Sequence, residues 1–345
     1  MSDAAIQHID HPAAWRASDV GTRDLLSVEF SRRLVDGLKD ALARWPFELD
    51  QHERVTTETF ALASIAEDIA AWKHELDRGR GLVMLKGFPV DEFDLPELRL
   101  IYLGLGCHLG RPVSQSAMGD LVGDVINIGD KDRNERAYRS RRKLQLHTDR
   151  CDNIAMLCIR PAVSGGESSC ASALSIHNVM LAERPELLAC LYNGYFHHRF
   201  GEQAPGEPPI TPERIPIFSF ADGVATVIFI RGYIDLAERE GHVQLSDNER
   251  AALDYFEDVA NRPDIRLDYL MEAGDLSIMN NCLLLHARTE FTDAEEAERK
   301  RHLLRLWLRD DMRPISSGAA LHKGAAGIVV QQGKGTYYRA PASAG

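Results

Sequence analysis

Three features are missing from this 345-residue chain. The first is a surplus of positive charge: 52 acidic residues stand against 40 basic ones, a formal net charge of −12 at pH 7. Contacts to nucleic-acid phosphates need a basic surface, so that class of partner is not expected. The second is a long apolar run. No stretch approaches the roughly 20 consecutive apolar residues of a membrane span, and the opening "MSDAAIQHIDHPAAW" lacks the basic start and apolar core of a secretion signal. The third is paired cysteine. Cys107, Cys151, Cys158, Cys170, Cys190 and Cys282 form no CxxC pair and no dense framework, which points to reduced, mostly buried thiols. The expectation is a cytoplasmic protein away from the membrane.

What is present begins with helices. "SRRLVDGLKDALARW" (31–45) and "ALASIAEDIAAWKHELDRG" (61–79) place apolar residues at three- and four-residue spacing. "GLVMLKGFPV" (81–90) reads as a strand stopped by Gly87 and Pro89, and "LPELRLIYLGLGCHLG" (95–110) as a helix closing on glycine. Beyond about residue 120 strands dominate: "LVGDVINIGD", then "IAMLCI" (154–159), with the polar "KDRNERAYRSRRK" (131–143) as an exposed loop. Residues 175–194 are helical with a break at Pro185, 215–230 form a hairpin turning at Asp222-Gly223, and 245–263 form a helix capped by Ser246 or Asp247. Residues 274–291 and 301–310 read as two more strands around the acidic "TDAEEAERK". With no βα alternation and no linker, the pattern predicts one domain over 1–345. It comprises a helical region about 1–80, a mainly β core about 81–310, and a C-terminal extension about 311–345. The core is either a barrel or a double-sheet jelly roll with flanking helices.

Chemistry concentrates in "LQLHTDR" (144–150). In an extended chain Gln145, His147 and Asp149 share one face. An imidazole and a carboxylate on one side are two ligands of a facial metal site, which a second histidine completes, as in non-haem iron(II) oxygenases. A surface strand end produces the same motif. His286 closes the apolar run "LSIMNNCLLLH" and is the candidate third ligand, or else a satisfied core histidine. His177 reads as a helix cap, adjacent His197 and His198 cannot both face inward from a strand, and His108 and His302 are poorly placed. In "RHLLRLWLRD", Arg301, Leu303 and Arg305 share a face. Guanidinium groups there either grip an anion, for which their planar fork is suited, or pair at the surface with Glu295, Glu296 and Glu298.

Taken in order, "LHTD", "CIRPAVSGGESSCAS", "GDLSIMNNCLLLHAR" and "RKRHLLRLWLRD" resemble the taurine-dioxygenase-like (TauD/TfdA) family of Fe(II)- and 2-oxoglutarate-dependent oxygenases, over roughly 80–310. The resemblance implies a double-stranded β-helix (jelly roll) and iron held by His147, Asp149 and His286. It implies that Arg301 grips the far carboxylate of 2-oxoglutarate, that Arg305 lies beside it against cosubstrate or substrate, and that Ser168 stands where the family places a cosubstrate-holding threonine. Arg288 becomes a structural neighbour. The implied reaction consumes O2 and 2-oxoglutarate, releases succinate and CO2, and oxidises a small organic molecule. Since Asp149 is retained, hydroxylation, desaturation or cleavage is expected rather than halogenation.

Arg133, Arg136, Arg139, Arg141, Arg142 and Lys143 precede the HTD motif. They form either a solvated loop or a lid that attracts an anionic substrate, and Tyr138 and Asn127 are candidates to line the pocket. The other class of function is a non-catalytic jelly-roll protein with a structural or sensory metal. Such a site is closed by four ligands and has no use for carboxylate-gripping arginines. A zinc hydrolase would need a further acid or base that nothing signposts. Self-assembly into a homo-oligomer is left open.

Overall fold

The computed structural model describes residues 6–128, 139–204, 206–331 and 333. Its strands in chain order are β1 (Ser27–Glu29), β2 (Leu82–Lys86), β3 (Arg111–Pro112), β4 (Val122–Val125), β5 (Leu144–His147), β6 (Asn153–Arg160), β7 (Ser164–Gly165) and β8 (Ser168–Ser172). There follow β9 (Phe218–Ala221), β10 (Val224–Val227), β11 (Arg266–Tyr269), β12 (Leu276–Asn280), β13 (Leu284–Arg288), β14 (Phe291–Thr292) and β15 (His302–Arg309). Two open sheets make the jelly roll. The larger runs β1-β2-β12-β6-β15-β3, with β4 also on β15; the smaller runs β11-β8-β13-β5. The barrel alternative does not hold.

Alternation along the larger sheet decides what each face meets. Val83, Leu85, Ala155, Leu157, Ile278, Leu304 and Leu306 point outward, into a core shared with the helices Arg32–Ala43, Ala66–Arg78 and Leu95–Leu109. Leu82, Met84, Ile154, Cys158, Leu303 and Trp307 point inward, toward the smaller sheet. Odd-numbered Arg305 therefore enters between the sheets beside Trp307. The helices Ala173–Glu183, Pro185–Asn193 and Asp247–Ala260 belong to this inner core.

Local expectations are met where turn chemistry is explicit. Pro185 opens a new helix, Ser246 caps the next through a capping box with Glu249, and Asp222-Gly223 turns the β9–β10 hairpin with φ of 48° and 78°. Two readings are corrected. His177 lies inside a helix and is buried, its Nε2 2.9 Å from the Tyr192 hydroxyl, while Ser172 is the cap. And 274–291 is not one strand. β12 ends at Asn280, and β13 starts at Leu284 in the other sheet. Asn280 Oδ1 accepts the Cys282 N–H, and Asn281 turns its amide onto the chain around Asp149, so side-chain hydrogen bonds replace ladder bonds at the corner.

The six cysteines are free. Past the core, the helix Ser317–Lys323 docks through a buried ion pair, with Lys323 Nζ donating to Asp152 Oδ1 at 2.7 Å. No helix among the described residues is long and apolar enough to cross a membrane.

Candidate active site

The corner at Asn281 returns the chain antiparallel to β5, so that His286 stands directly opposite His147 in the ladder. The two imidazole centroids are 4.3 Å apart. Asp149 follows two residues on, its Oδ1 3.6 Å from His147 Nε2 and its Oδ2 3.7 Å from His286 Nε2. One ligand atom from each residue falls within 4.8 Å of the others.

Hydrogen bonding decides which atoms can bind a cation. His147 Nδ1 lies 2.9 Å from the Gln145 carbonyl, so it carries the proton and leaves the Nε2 lone pair toward Asp149. A second cluster, His198, Glu240 and His242, has comparable spacing. There His198 Nδ1 accepts the Phe200 N–H at 2.9 Å, which puts the proton on Nε2, the atom 3.2 Å from Glu240. That nitrogen is a donor and not a ligand, so only the first cluster has the donor chemistry of a metal centre.

Asp149 is held from behind. The Asn281 side chain accepts its N–H at 2.8 Å and donates to the carbonyls of Asp149 and Cys151, both at 2.8 Å. Trp307 Nε1 donates to Oδ2 at 2.9 Å, and Arg305 Nη1 donates to the same oxygen at 3.2 Å. Burial disfavours the carboxylate charge, but Arg305 and the imidazole contacts outweigh it and hold the group well below the usual carboxylate range. Burial, with His147 alongside, takes His286 down to about 4, so its imidazole is neutral at physiological pH.

The arginines are not at the surface. Arg301 and Arg305 are each 4% exposed, whereas Glu295, Glu296 and Glu298 are exposed, so the surface ion-pair reading fails. Both arginines line one cavity with His286, Ser168 and Arg288. Arg305 is engaged, its Nε donating to Gln115 Oε1 at 2.7 Å. Arg301 has a buried Nη1 without a hydrogen-bond partner, and its guanidinium lies 5.0 Å over the Phe291 ring. Arg288 lies 4.8 Å over the same ring and donates to the Ser140 carbonyl at 2.7 Å. Burial brings Arg301 down to about 10; burial and Arg301 bring Arg288 down to about 9. Both stay cationic at neutral pH with Asp293 acting on each, and the buried, unpartnered Nη1 of Arg301 is the donor that suits an anion. Gly166, with φ of 77°, makes room: a Cβ there would sit 3.3 Å from Arg301 Nε.

Sequence reading missed Trp307, Asn281, Gln115 and Phe291. Only Trp307 left a signal, an indole on the Arg305 face of a strand. Asn127 is not among the residues lining the cavity, though Val125 is. Arg141, Arg142 and Lys143 are exposed and Arg139 is half-buried; Arg133, Arg136 and Tyr138 lie outside the described residues.

Three donors on one side and a buried cationic slot behind them, framed by two open sheets, belong to a metal-dependent oxygenase that uses a carboxylate cosubstrate. Residues 45–307 match the family model described as taurine catabolism dioxygenase TauD, TfdA family, and the chain belongs to that family. It is an Fe(II)- and 2-oxoglutarate-dependent dioxygenase. The FR-33289 synthase of Streptomyces rubellomurinus (strain ATCC 31215) is 33% identical over 262 residues, 74% of this chain and 77% of that protein. The taurine hydroxylase-like protein SAT17 of Stachybotrys chartarum (strain CBS 109288 / IBT 7711) is 24% identical, covering 74% of this chain and 68% of its own. Asparagine oxygenase, solved with Fe(II), 2S,3S-3-hydroxyasparagine and succinate, shares the fold at TM-score 0.64 and 18% identity, over 88% of this chain and 99% of that one. The non-haem iron oxygenase OrfP, solved with Fe and alpha-ketoglutaric acid, does so at 0.60 and 14%, over 83% and 94%. The non-catalytic alternative falls with this, since the cluster offers three such donors among the described residues and not the four of a closed site.

Proposed function

We propose that His147, Asp149 and His286 hold the iron, that Arg301 and Ser168 hold the far carboxylate of 2-oxoglutarate, and that the enzyme hydroxylates a small anionic organic molecule in the cytoplasm. The observation carrying this reading is the buried, unpartnered Arg301 Nη1 in the cavity that His286 also lines. Iron(II) bound there supplies O2 activation coupled to oxidative decarboxylation of 2-oxoglutarate to succinate and CO2. The chain's own residues do the positioning. Two imidazoles and one carboxylate leave three coordination positions for other ligands. Arg301 gives a bidentate grip, and Ser168, opposite Arg288 in the β8–β13 ladder, adds a hydroxyl at the same end. Arg305 is bound to Asp149 and Gln115, so its role is to fix the metal-ligating carboxylate. Hydroxylation is preferred to desaturation or cleavage because the solved neighbours carry hydroxylated amino acids, 3-hydroxyasparagine and (3S)-hydroxy-L-Arg. The two sheets, the helices packed on the larger and those packed on the smaller are taken as one catalytic domain.

Anaerobic addition of Fe(II) and then 2-oxoglutarate is expected to give a weak visible charge-transfer band. Arg301→Gln should need about 30-fold more 2-oxoglutarate for the same band, the scale of one lost charge-assisted pair of about 2 kcal/mol. An unchanged requirement would move the grip to Arg305. Asp149→Ala should abolish the band while leaving the far-ultraviolet circular dichroism unchanged.

A further inference from the structure

A second cavity lies one residue along the chain from Asp149, lined by Arg150, His197, Thr211, Tyr233 and His322 among others. His197 is 1% exposed, and neither of its ring nitrogens has a hydrogen-bond partner. His322 is 5% exposed and has an unpartnered Nε2. The two rings meet edge to face with centroids 5.0 Å apart. Buried imidazoles facing a cavity with unmet donors are not a packing solution, since an apolar ring would fill the same space without the desolvation cost.

Their surroundings are rigid. His197 and Thr211 are tied both ways, Thr211 N–H to the His197 carbonyl at 2.9 Å and His197 N–H to Thr211 Oγ1 at 3.1 Å. The next turn carries Phe200 at φ 53°, stacked on Tyr233 at 5.6 Å. A non-glycine residue in that region persists only where its neighbours over-determine it. Arg150 is clamped by its Nε to the His322 carbonyl at 2.7 Å and lies 3.5 Å from Glu202 through Nη1. Arg199 faces the cavity too but is the more closely paired, 2.5 Å from Glu207 against 3.5 Å between Arg150 and Glu202. Burial, then the charge of Arg150, brings His197 down to about 3, and burial likewise holds His322 well below its ordinary range, so both rings are neutral and each offers one N–H.

We propose that this cavity is the recognition site for a small oxoanion, the charged end of the primary substrate, with Arg150 supplying the charge and His197, His322 and the Thr211 hydroxyl the neutral donors. Its assignment to the substrate rests on the iron-site reading above, because Arg150 directly follows Asp149; anion binding itself does not. Carboxylates, sulfonates and phosphonates share the chemistry.

The test uses the full-length protein labelled with 15N-histidine and titrated separately with acetate, methanesulfonate and methylphosphonate. Saturable shifts of the His197 and His322 ring nitrogens with at least one probe are expected, and the probe that binds tightest names the anion class. Arg150→Met should weaken that binding about tenfold or more. Arg150→Lys keeps a cation beside Glu202 and should weaken it less, which separates loss of recognition from loss of fold. Neither change should alter 2-oxoglutarate binding. No saturable shift with any probe, or shifts undiminished in Arg150→Met, would overturn the site. The substrate assignment is read by loading Mn(II) in place of iron and measuring paramagnetic relaxation of the bound probe. Enhancement supports it, and binding without enhancement overturns it while leaving the anion site standing. Failure to bind Mn(II) at all would instead strike at the iron-site reading, and the histidine titration would still decide the anion site.

Discussion

Asp149 divides its work between two oxygens. Oδ2 accepts from Trp307 and Arg305, while Oδ1 turns to His147, so the carboxylate is rotated and fixed before any cation arrives. Outer hydrogen bonds of this kind commonly govern metal affinity by about 10- to 100-fold. Trp307→Phe keeps an aromatic ring on the strand but removes the N–H and part of the buried ring volume. Iron affinity, measured by competition with a chromogenic chelator, should fall by about that factor, with a lower melting temperature from the trimmed core ring. Unchanged affinity would show that Arg305 orients Asp149 alone. That His147 and Asp149 share a face was legible in the sequence because an HxD pair on an extended chain has a fixed geometry. Their supports were not, because Gln115, Asn281 and Trp307 reach the site only through contacts between distant strands.

At the scale of elements, the corner between β12 and β13 is where sequence reading went astray. Eighteen residues from Gly274 to Phe291 carry strand-like apolar character, and nothing in their periodicity marks a change of sheet. The marker is chemical: two adjacent asparagines whose amides satisfy backbone groups that leave the ladder. Asn281→Ala strips three hydrogen bonds from a buried loop, and should cost about 2–4 kcal/mol by urea denaturation, with a parallel loss of iron affinity. By contrast, the hairpin at Asp222-Gly223 and the helix start at Ser246 were readable, since turn and cap residues act locally. Another tie between elements is Asp124 on β4, which receives Arg99 from the helix Leu95–Leu109 and lies 2.8 Å from His302 Nε2 on β15. Burial opposes its charge, but His302 and Arg99 prevail and bring it to about 2. A carboxylate with a lowered folded-state value contributes stability above its ordinary value near 3.8, and that contribution fades as pH falls through about 2. Asp124→Asn should therefore be less stable by about 1 kcal/mol above pH ~4, allowing for partial solvent screening, with the gap closing as pH falls through about 2. A constant difference across that range would mean the charge is not what matters.

On the scale of the whole molecule, the helices-then-strands order was enough to predict a β core, barrel or jelly roll, with flanking helices, since such strands have few ways to bury both faces. The family resemblance was what pointed to the jelly roll. Which sheet each strand joins was not readable, because register across β6, β12 and β15 depends on contacts more than a hundred residues apart. The net charge of −12 describes the outer surface, while the interior gathers Arg288, Arg301 and Arg305, so the average conceals the sign of the site.

Among the described residues β5 has one ladder neighbour, β13, and it carries His147 directly opposite His286. An ion shared by those residues, as proposed, would be a clasp across a seam secured on one side, joining β5 to the neighbouring strand of the smaller sheet. Stripping the ion should leave the core intact and loosen only the rim. Backbone amides of Leu144–His147 should exchange with deuterium faster in the metal-free protein, and those of β12 should not, so loss of metal would register as a local opening before any global unfolding. Equal protection of β5 with and without metal would show that the ladder alone secures it.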